Sequence, residues 1–145
     1  MPEAGTIKKA RQDRAAGKAP STQAGEFVRE EMDHIRKGKH GARSTKQAIA
    51  IGLSKARRAG VKLGAPRKAS AKTRHQAASD TRAARRGVRP SRTRSRAVTS
   101  ALKGEGHSAA SHTALSRQSR SAARARGPAD RSRAVRKAVK TRRNA

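Results

Sequence analysis

The sequence predicts an all-α protein that consists of a small helical head and a long basic tail. Large apolar residues recur at helical spacing only in the first 63 residues, and those in the tail are too few to form a continuous apolar stripe. Residues 64–145 hold 23 Lys and Arg against three acidic residues, a net charge of +20. We therefore divide the chain into a leader at 1–20, a helical head at 21–63 and a tail at 64–145.

Two helices are expected in the leader and the first part of the head. A short leader helix should follow Thr6 as its N-cap and stop at Gly17. The next helix should follow an N-cap at Ser21 or Thr22 and run to about Lys37. Its apolar residues share one face, and its acids lie mostly on the other. The apolar set is Ala24, Phe27, Val28, Met32 and Ile35, and the acidic set is Glu26, Glu30, Glu31 and Asp33.

The clearest local signal in the head is a capping box formed by Ser44 and Gln47, which predicts that a further helix starts at Thr45. This helix should end at Gly60, where Val61 can fold back in a Schellman motif. Small residues at 48, 52 and 56 form one row that would let another helix approach closely. The head is thus expected to contain two or three short helices, as a helical hairpin or a helix-turn-helix-like arrangement.

The tail consists mostly of Ala, Arg and Ser, with glycines and prolines that divide it into helix-length pieces. Ala and Arg have high helix propensity, but repulsion between the arginines should fray these helices. We therefore expect a largely disordered or nascent-helical tail that folds when it binds a partner.

The most distinctive segments of the head are STQAGEFVREE at 21–31 and GKHGARSTKQAIAIGLSKARRAG at 38–60. They resemble a bacterial family of small basic proteins of unknown function, over about residues 6–63. The resemblance implies a bacterial cytosolic protein and brings no established activity. In composition, the tail resembles the arms of linker-histone-like bacterial nucleoid proteins.

The surplus of positive charge predicts a polyanionic partner, and nucleic acid is the abundant one in a cell. Lys and Arg release condensed counterions from phosphates whatever the base sequence. The single aromatic residue, Phe27, falls on the predicted buried face, which argues against the base stacking that single-strand binders use. We therefore predict sequence-tolerant binding that favours duplex DNA over RNA, in the nucleoid of a bacterial cytoplasm.

Two groups of polar and basic residues are the predicted contacts with nucleic acid. In the head they are Lys39, Arg43, Lys46, Gln47, Lys55, Arg57 and Arg58. In the tail they are Arg82, Arg85, Arg86, Arg92, Arg94, Arg96, Arg124, Arg126, Arg133, Arg136, Lys137 and Arg142.

Other functions fit the same composition. The protein could bind the ribosome or structured RNA, or the head could be a protein-docking module with the tail as a solubilising cationic tether. The head also offers a helix face for homo-oligomer formation. The five histidines show no metal-ligand spacing and no catalytic constellation is evident, so neither an enzyme nor a metal or cofactor site is expected. No segment approaches the roughly 20 apolar residues of a membrane span, so no membrane partner is expected.

Overall fold

The computed structural model describes residues 1–66 and 68–143, and every regular element within this range is helical. The elements are α1 (Ala4–Ala15), α2 (Pro20–Arg36), α3 (Thr45–Arg58), α4 (Ala71–Arg85), α5 (Arg92–Lys103), a 3₁₀ turn (Ser108–Ala110), α6 (His112–Ala125) and α7 (Gly127–Arg143). The chain divides into two compact units, Met1–Ser111 and His112–Ala145. The predicted all-α class is confirmed for the described residues.

Both predicted ends of α3 are confirmed. The Ser44 Oγ accepts a hydrogen bond from the Gln47 N–H at 3.2 Å, and the helix begins at the residue after Ser44. At the other end, the Val61 N–H donates to the Ala56 carbonyl at 3.0 Å, and Gly60 has a φ of +91°. This is the Schellman motif, and it returns Val61 to the core.

The predicted N-caps of α1 and α2 are wrong. Helix α1 begins directly after Glu3, so that Thr6 lies inside it. Helix α2 begins at Pro20, and Ser21 and Thr22 lie in its first turn. Proline suits this first position because its fixed φ is already helical and the N–H that it lacks would have no partner within the helix. Both helices therefore start earlier than the side-chain capping pattern indicates.

The core of the first unit lies between α1, α2 and α3. Its buried cluster consists of Ala10, Ala24, Phe27, Ala56 and Val61, with Ile7, Leu53 and Leu63 packed against it. On α2, four of the five predicted apolar residues are buried, and Val28 is half-buried. The predicted apolar face of α2 is therefore confirmed.

Helices α2 and α3 approach each other closely at Gly52. A Cβ placed on this glycine would lie 2.8 Å from the Val28 Cα and 3.0 Å from the Val28 Cγ2. Ala48 and Ala56, the other members of the small-residue row, are fully buried. The row lets the two helices approach as the sequence indicates.

We expect Gly52→Ala to lower the free energy of unfolding by about 1–3 kcal/mol, because the added methyl group meets backbone that must move. Gly25→Ala is the matched control, since it also lies within a helix but has nothing within 4 Å of the added Cβ. That substitution should stabilise the protein by about 0.5–1 kcal/mol. Denaturant unfolding followed by circular dichroism gives both values, and equal changes in the two variants would contradict the close approach.

The described part of the tail, residues 64–66 and 68–143, contains four α-helices, so the expectation of a largely disordered or nascent-helical tail is wrong. Side-chain caps start α4 and α5. The Ser70 hydroxyl accepts from the Thr73 N–H, and the Ser91 hydroxyl accepts from the Arg94 N–H. The helix propensity of Ala and Arg, together with these caps, outweighs the repulsion between the arginines.

The last turn of α5 and the chain that follows it meet the loop between α2 and α3. The Gly41 N–H donates to the Leu102 carbonyl at 2.8 Å, and the Ala42 N–H donates to the Gly106 carbonyl at 3.0 Å. A Cβ on Gly41 would clash with the Glu105 carbonyl oxygen. Glycine at this position is therefore required for the two backbone segments to meet.

The 3₁₀ turn completes this contact. Ala109 and Ala110 are buried, the Thr45 hydroxyl donates to the Ala109 carbonyl at 2.7 Å, and the Arg36 Nε donates to the Ala110 carbonyl at 2.9 Å. The first compact unit thus includes residues 64–111 of the predicted tail.

Candidate nucleic-acid interface

Three basic residues of α3 are engaged inside the fold. The Lys55 Nζ lies 2.6 Å from the Glu31 Oε2, and the Arg58 Nε lies 2.9 Å from the Asp80 Oδ1. Arg57 is buried, and its guanidinium donates to the Gly64 carbonyl, between α3 and α4, at 3.3 Å. These three predicted head contacts are therefore held by groups of the protein itself.

Asp80 fastens α4 to α3. Its Oδ1 accepts from the Arg58 Nε and from the Gln76 Nε2, which lies 3.2 Å away. Its Oδ2 accepts from the Ser54 hydroxyl at 2.7 Å. The carboxylate is almost fully buried, and each of its oxygens has at least one donor. One of the few acids of the predicted tail thus has a structural function.

Glu30 and Glu31 are buried, so their predicted position on the acidic outer face of α2 is wrong. The Glu30 Oε2 accepts from the Glu3 N–H at 3.0 Å, and its Oε1 lies 3.7 Å from the Lys55 Nζ. Burial of these acids is possible because Lys55, on the neighbouring helix, supplies an opposite charge.

The other predicted head contacts lie on or near the loop between α2 and α3. Lys39, Arg43 and Lys46 are exposed, and Gln47 is half-buried. The Lys39 Nζ lies 3.0 Å from the Glu3 Oε1, and the Arg43 Nε lies 3.5 Å from the Glu105 Oε1. The Gln47 Oε1 accepts from the Arg43 N–H at 2.7 Å, so Gln47 contributes to the start of α3.

Exposed cations form a stripe on α6. Arg117, Arg120 and Arg124 lie at positions i, i+3 and i+7, which places them on one side of the helix, and all three are exposed. The opposite side carries Leu115 and Gln118, which are half-buried. Helix α6 contains no acidic residue and packs against α7 within the second unit.

A second stripe occurs on α7. Arg133, Arg136, Lys137 and Lys140 recur at positions i, i+3, i+4 and i+7, and all four are exposed. The acid of this helix, Asp130, lies in its first turn and pairs with Arg133. The stripe extends over about 10 Å of helix.

The predicted tail contacts are all exposed, on or next to four helices. They are Arg82, Arg85, Arg86, Arg92, Arg94, Arg96, Arg124, Arg126, Arg133, Arg136, Lys137 and Arg142. Arg117, Arg120 and Lys140 share the two stripes but were not predicted. The i, i+3, i+7 spacing within α6 and α7 is the signal that would have found them.

Glu31, His34 and His40 come together near the C-terminal end of α2. One carboxylate oxygen and one ring nitrogen from each histidine lie within 4.8 Å of one another. The His34 Nε2 lies 2.8 Å from the Glu3 Oε1. The hydrogen bond from His34, together with the Lys39 ammonium group, lowers the pKa of Glu3 from 4.5 to about 2.

Sequence reasoning missed this cluster because it found no metal-ligand spacing among the histidines. The available signal is the i, i+3 spacing of Glu31 and His34, which places them on one side of α2. His40 follows just beyond the helix end.

Residues 4–69 match a protein family described as "Family of unknown function (DUF6496)". The match covers α1, α2 and α3, so the resemblance of the head to a family of unknown function is confirmed. No curated protein and no solved structure matches the chain. Within residues 1–66 and 68–143, no helix combines the length and the apolar character that crossing a bilayer requires.

Proposed function

We propose that this protein binds nucleic acid without sequence specificity, and duplex DNA in preference to RNA, through the exposed cations of α4 to α7. The observation that carries the proposal is the division of the basic residues into two classes. On α3, Lys55 and Arg58 already pair with buried acids. On α6 and α7, the basic stripes are exposed, and Asp130 is the one acid in these two helices.

Only the second class is available to a polyanion. A cation that already neutralises a buried carboxylate cannot replace counterions on a phosphate without breaking the fold, whereas an exposed arginine can. The Cβ atoms of arginines three or four residues apart on a helix lie about 5–6 Å from each other. Each guanidinium can contact a phosphate through two hydrogen bonds. Such contacts hold the nucleic-acid backbone and carry no base information.

The missing aromatic residues favour a duplex. Single-stranded nucleic acid is usually held by stacking bases on aromatic side chains. Phe27 is the sole aromatic residue of the chain, and it is fully buried. Because exposed cations occur in both compact units, one molecule can contact more than one duplex segment. We therefore propose a compacting or bridging function in the nucleoid of a bacterial cytoplasm.

The salt dependence of binding tests the α6 stripe. When Arg117, Arg120 and Arg124 are all changed to Gln, the negative slope of log affinity against log salt should become shallower by about 2.7. Each phosphate contact contributes about −0.9 to this slope. The three side chains are exposed, so the substitutions should leave the fold intact. The slope is measured by anisotropy of a labelled duplex over a series of salt concentrations.

The matched control changes the same three arginines to Lys, which keeps the charge and should keep the slope. An unchanged slope in the Gln variant would remove α6 from the interface. Competition with ribosomal RNA tests the preference for DNA, and tighter binding of the RNA would overturn it. If the full-length protein does not bind duplex DNA near physiological salt, the proposed function is wrong.

A further inference from the structure

We propose that Glu31, His34 and His40 form a binding site for a divalent transition-metal ion, and that zinc best suits its ligands. Two imidazoles and a carboxylate are a donor set that zinc binds in proteins, whereas magnesium and calcium take oxygen ligands. The candidate ligand atoms of the three residues lie within 4.8 Å of one another. None of the three is a proposed nucleic-acid contact, so this site is independent of the proposed function.

The first argument is an unsatisfied oxygen on Glu31. This side chain is fully buried, and its Oε2 accepts from the Lys55 Nζ at 2.6 Å. Its Oε1 has no hydrogen-bond partner within the part of the chain that the structure describes. Buried carboxylate oxygens are expected to have a partner, because an unsatisfied one has lost its water without compensation. The Glu31 Oε1 is therefore an open position for a cation.

The second argument is the way in which His40 faces that oxygen. Its Nδ1 lies 3.1 Å from the Gly41 carbonyl oxygen, which can only accept, so the Nδ1 carries a proton. In the neutral ring the Nε2 then holds a lone pair, and it lies 3.4 Å from the Glu31 Oε1. Either a proton on the Nε2 or a metal ion between the two atoms satisfies both of them, and the position of His34 within reach of the same point favours the metal ion. A tetrahedral zinc ion with bonds of about 2.0–2.1 Å separates its ligand atoms by about 3.4 Å.

His34 supplies the third ligand from the same side of α2 as Glu31. Its ring stands nearly perpendicular to that of His40, with an angle of 87° and centroids 6.1 Å apart. Its Nε2 lies 2.8 Å from the Glu3 Oε1. The Glu3 side chain is 56% exposed, and its Oε1 also lies 3.0 Å from the Lys39 Nζ, from which it would have to move. For Glu3 to take the fourth tetrahedral position, the His34 Nε2 would give up the proton that it shares with Glu3, and the distance between the Nε2 and the Glu3 Oε1 would increase by roughly 0.6 Å.

The surroundings of the cluster favour a dication. Three of the nine acidic residues, Glu3, Glu30 and Glu31, converge there. They face two lysines, Lys39 and Lys55. With neutral imidazoles the site therefore carries a net negative charge within a protein whose formal charge is +29.

In protein metal sites, the ligand atom that does not bind the metal is usually hydrogen-bonded to a neighbouring group, and two of the three proposed ligands have such a bond. Lys55 holds the second oxygen of Glu31, and the Gly41 carbonyl holds the Nδ1 of His40. The Gly41 N–H in turn donates to the Leu102 carbonyl. A bound ion would therefore join α2 to the loop that receives the returning chain, and it should stabilise the first unit.

Zinc titration of the full-length protein, prepared without a histidine tag, tests the site. We expect calorimetry to show one zinc ion bound per chain. Zinc should raise the melting temperature above that of chelator-treated protein, because a ligand that binds only the folded state stabilises it, and magnesium should not. Cobalt bound in place of zinc should give the visible absorption of a tetrahedral site, and His40→Gln or His34→Gln should abolish it.

His75→Gln and His107→Gln are the matched controls, because both residues are exposed and lie outside the cluster. They should bind zinc as the unmodified protein does. Glu31→Gln would also weaken the partner of Lys55, so the histidine variants decide the test. The proposal is overturned if zinc does not raise the melting temperature, or if His75→Gln loses binding to the same extent as His40→Gln.

Discussion

Phe27→Ala should unfold the first compact unit or leave it barely stable, with a loss of about 3–5 kcal/mol in the free energy of unfolding. Phe27 is the sole aromatic residue and is fully buried. Its neighbours in the core cluster include Ala10, Ala24 and Ala56, whose short side chains cannot fill the cavity that the ring would leave. The loss is large beside the roughly 5–15 kcal/mol that stabilises a typical domain.

Guanidinium unfolding followed by circular dichroism measures this loss, because the chain has no Trp or Tyr to report by fluorescence. Phe27→Leu keeps most of the volume and should cost less than about 1.5 kcal/mol. Val135→Ala, at a position that is 63% exposed on α7, should have almost no effect. If Phe27→Ala were no less stable than Val135→Ala, Phe27 would not be at the centre of the core.

Asp80→Ala should release α4 from α3 and cost about 3 kcal/mol. The substitution removes a buried carboxylate and leaves Arg58 and Ser54 without their acceptor. Because the Arg58 side chain is 33% exposed, it can turn towards water, which keeps the cost at the lower end of the range for a broken buried pair. Amide hydrogen exchange should become faster along α4.

Asp130→Ala is the matched control for this variant. Asp130 also pairs with an arginine, but its side chain is 41% exposed in the first turn of α7. Exposed pairs of this kind contribute at most about 1 kcal/mol, so the control should change stability little. An equal loss in the two variants would show that the contacts of Asp80 do not hold α4.

Several local features of the fold could be predicted because each depends on residues close together in the chain. The Ser44 capping box is set by four consecutive residues. The Schellman motif at Gly60 needs a residue that tolerates a positive φ, followed by an apolar one. The small-residue row around Gly52 follows from helical spacing alone.

The buried polar pairs could not be predicted, because each joins residues from different elements. Glu31 falls on the polar side of α2 by its spacing, and its burial depends on Lys55, 24 residues away. Asp80 has the same relation to Arg58, 22 residues away. The sequence could therefore predict which residues are basic, but not which of them the fold neutralises.

The stable helices of the tail could not be predicted from its charge and composition alone. Repulsion between the arginines predicts frayed helices, but Ser70 and Ser91 provide caps. Asp80 also anchors α4 on α3. The exposed arginines of α6 and α7 follow from composition, while their arrangement in stripes follows from the helices.

Helix α5 is connected to the head at both ends and is not a free arm. The preceding helix packs on α3, and the last turn of α5 and the chain after it are bound to the backbone at Gly41 and Ala42. The α5 helix is therefore bonded, through Leu102 and Gly106, to the loop next to His40. Helix α5 therefore cannot move away from the first unit unless the contacts at one of its two ends are broken.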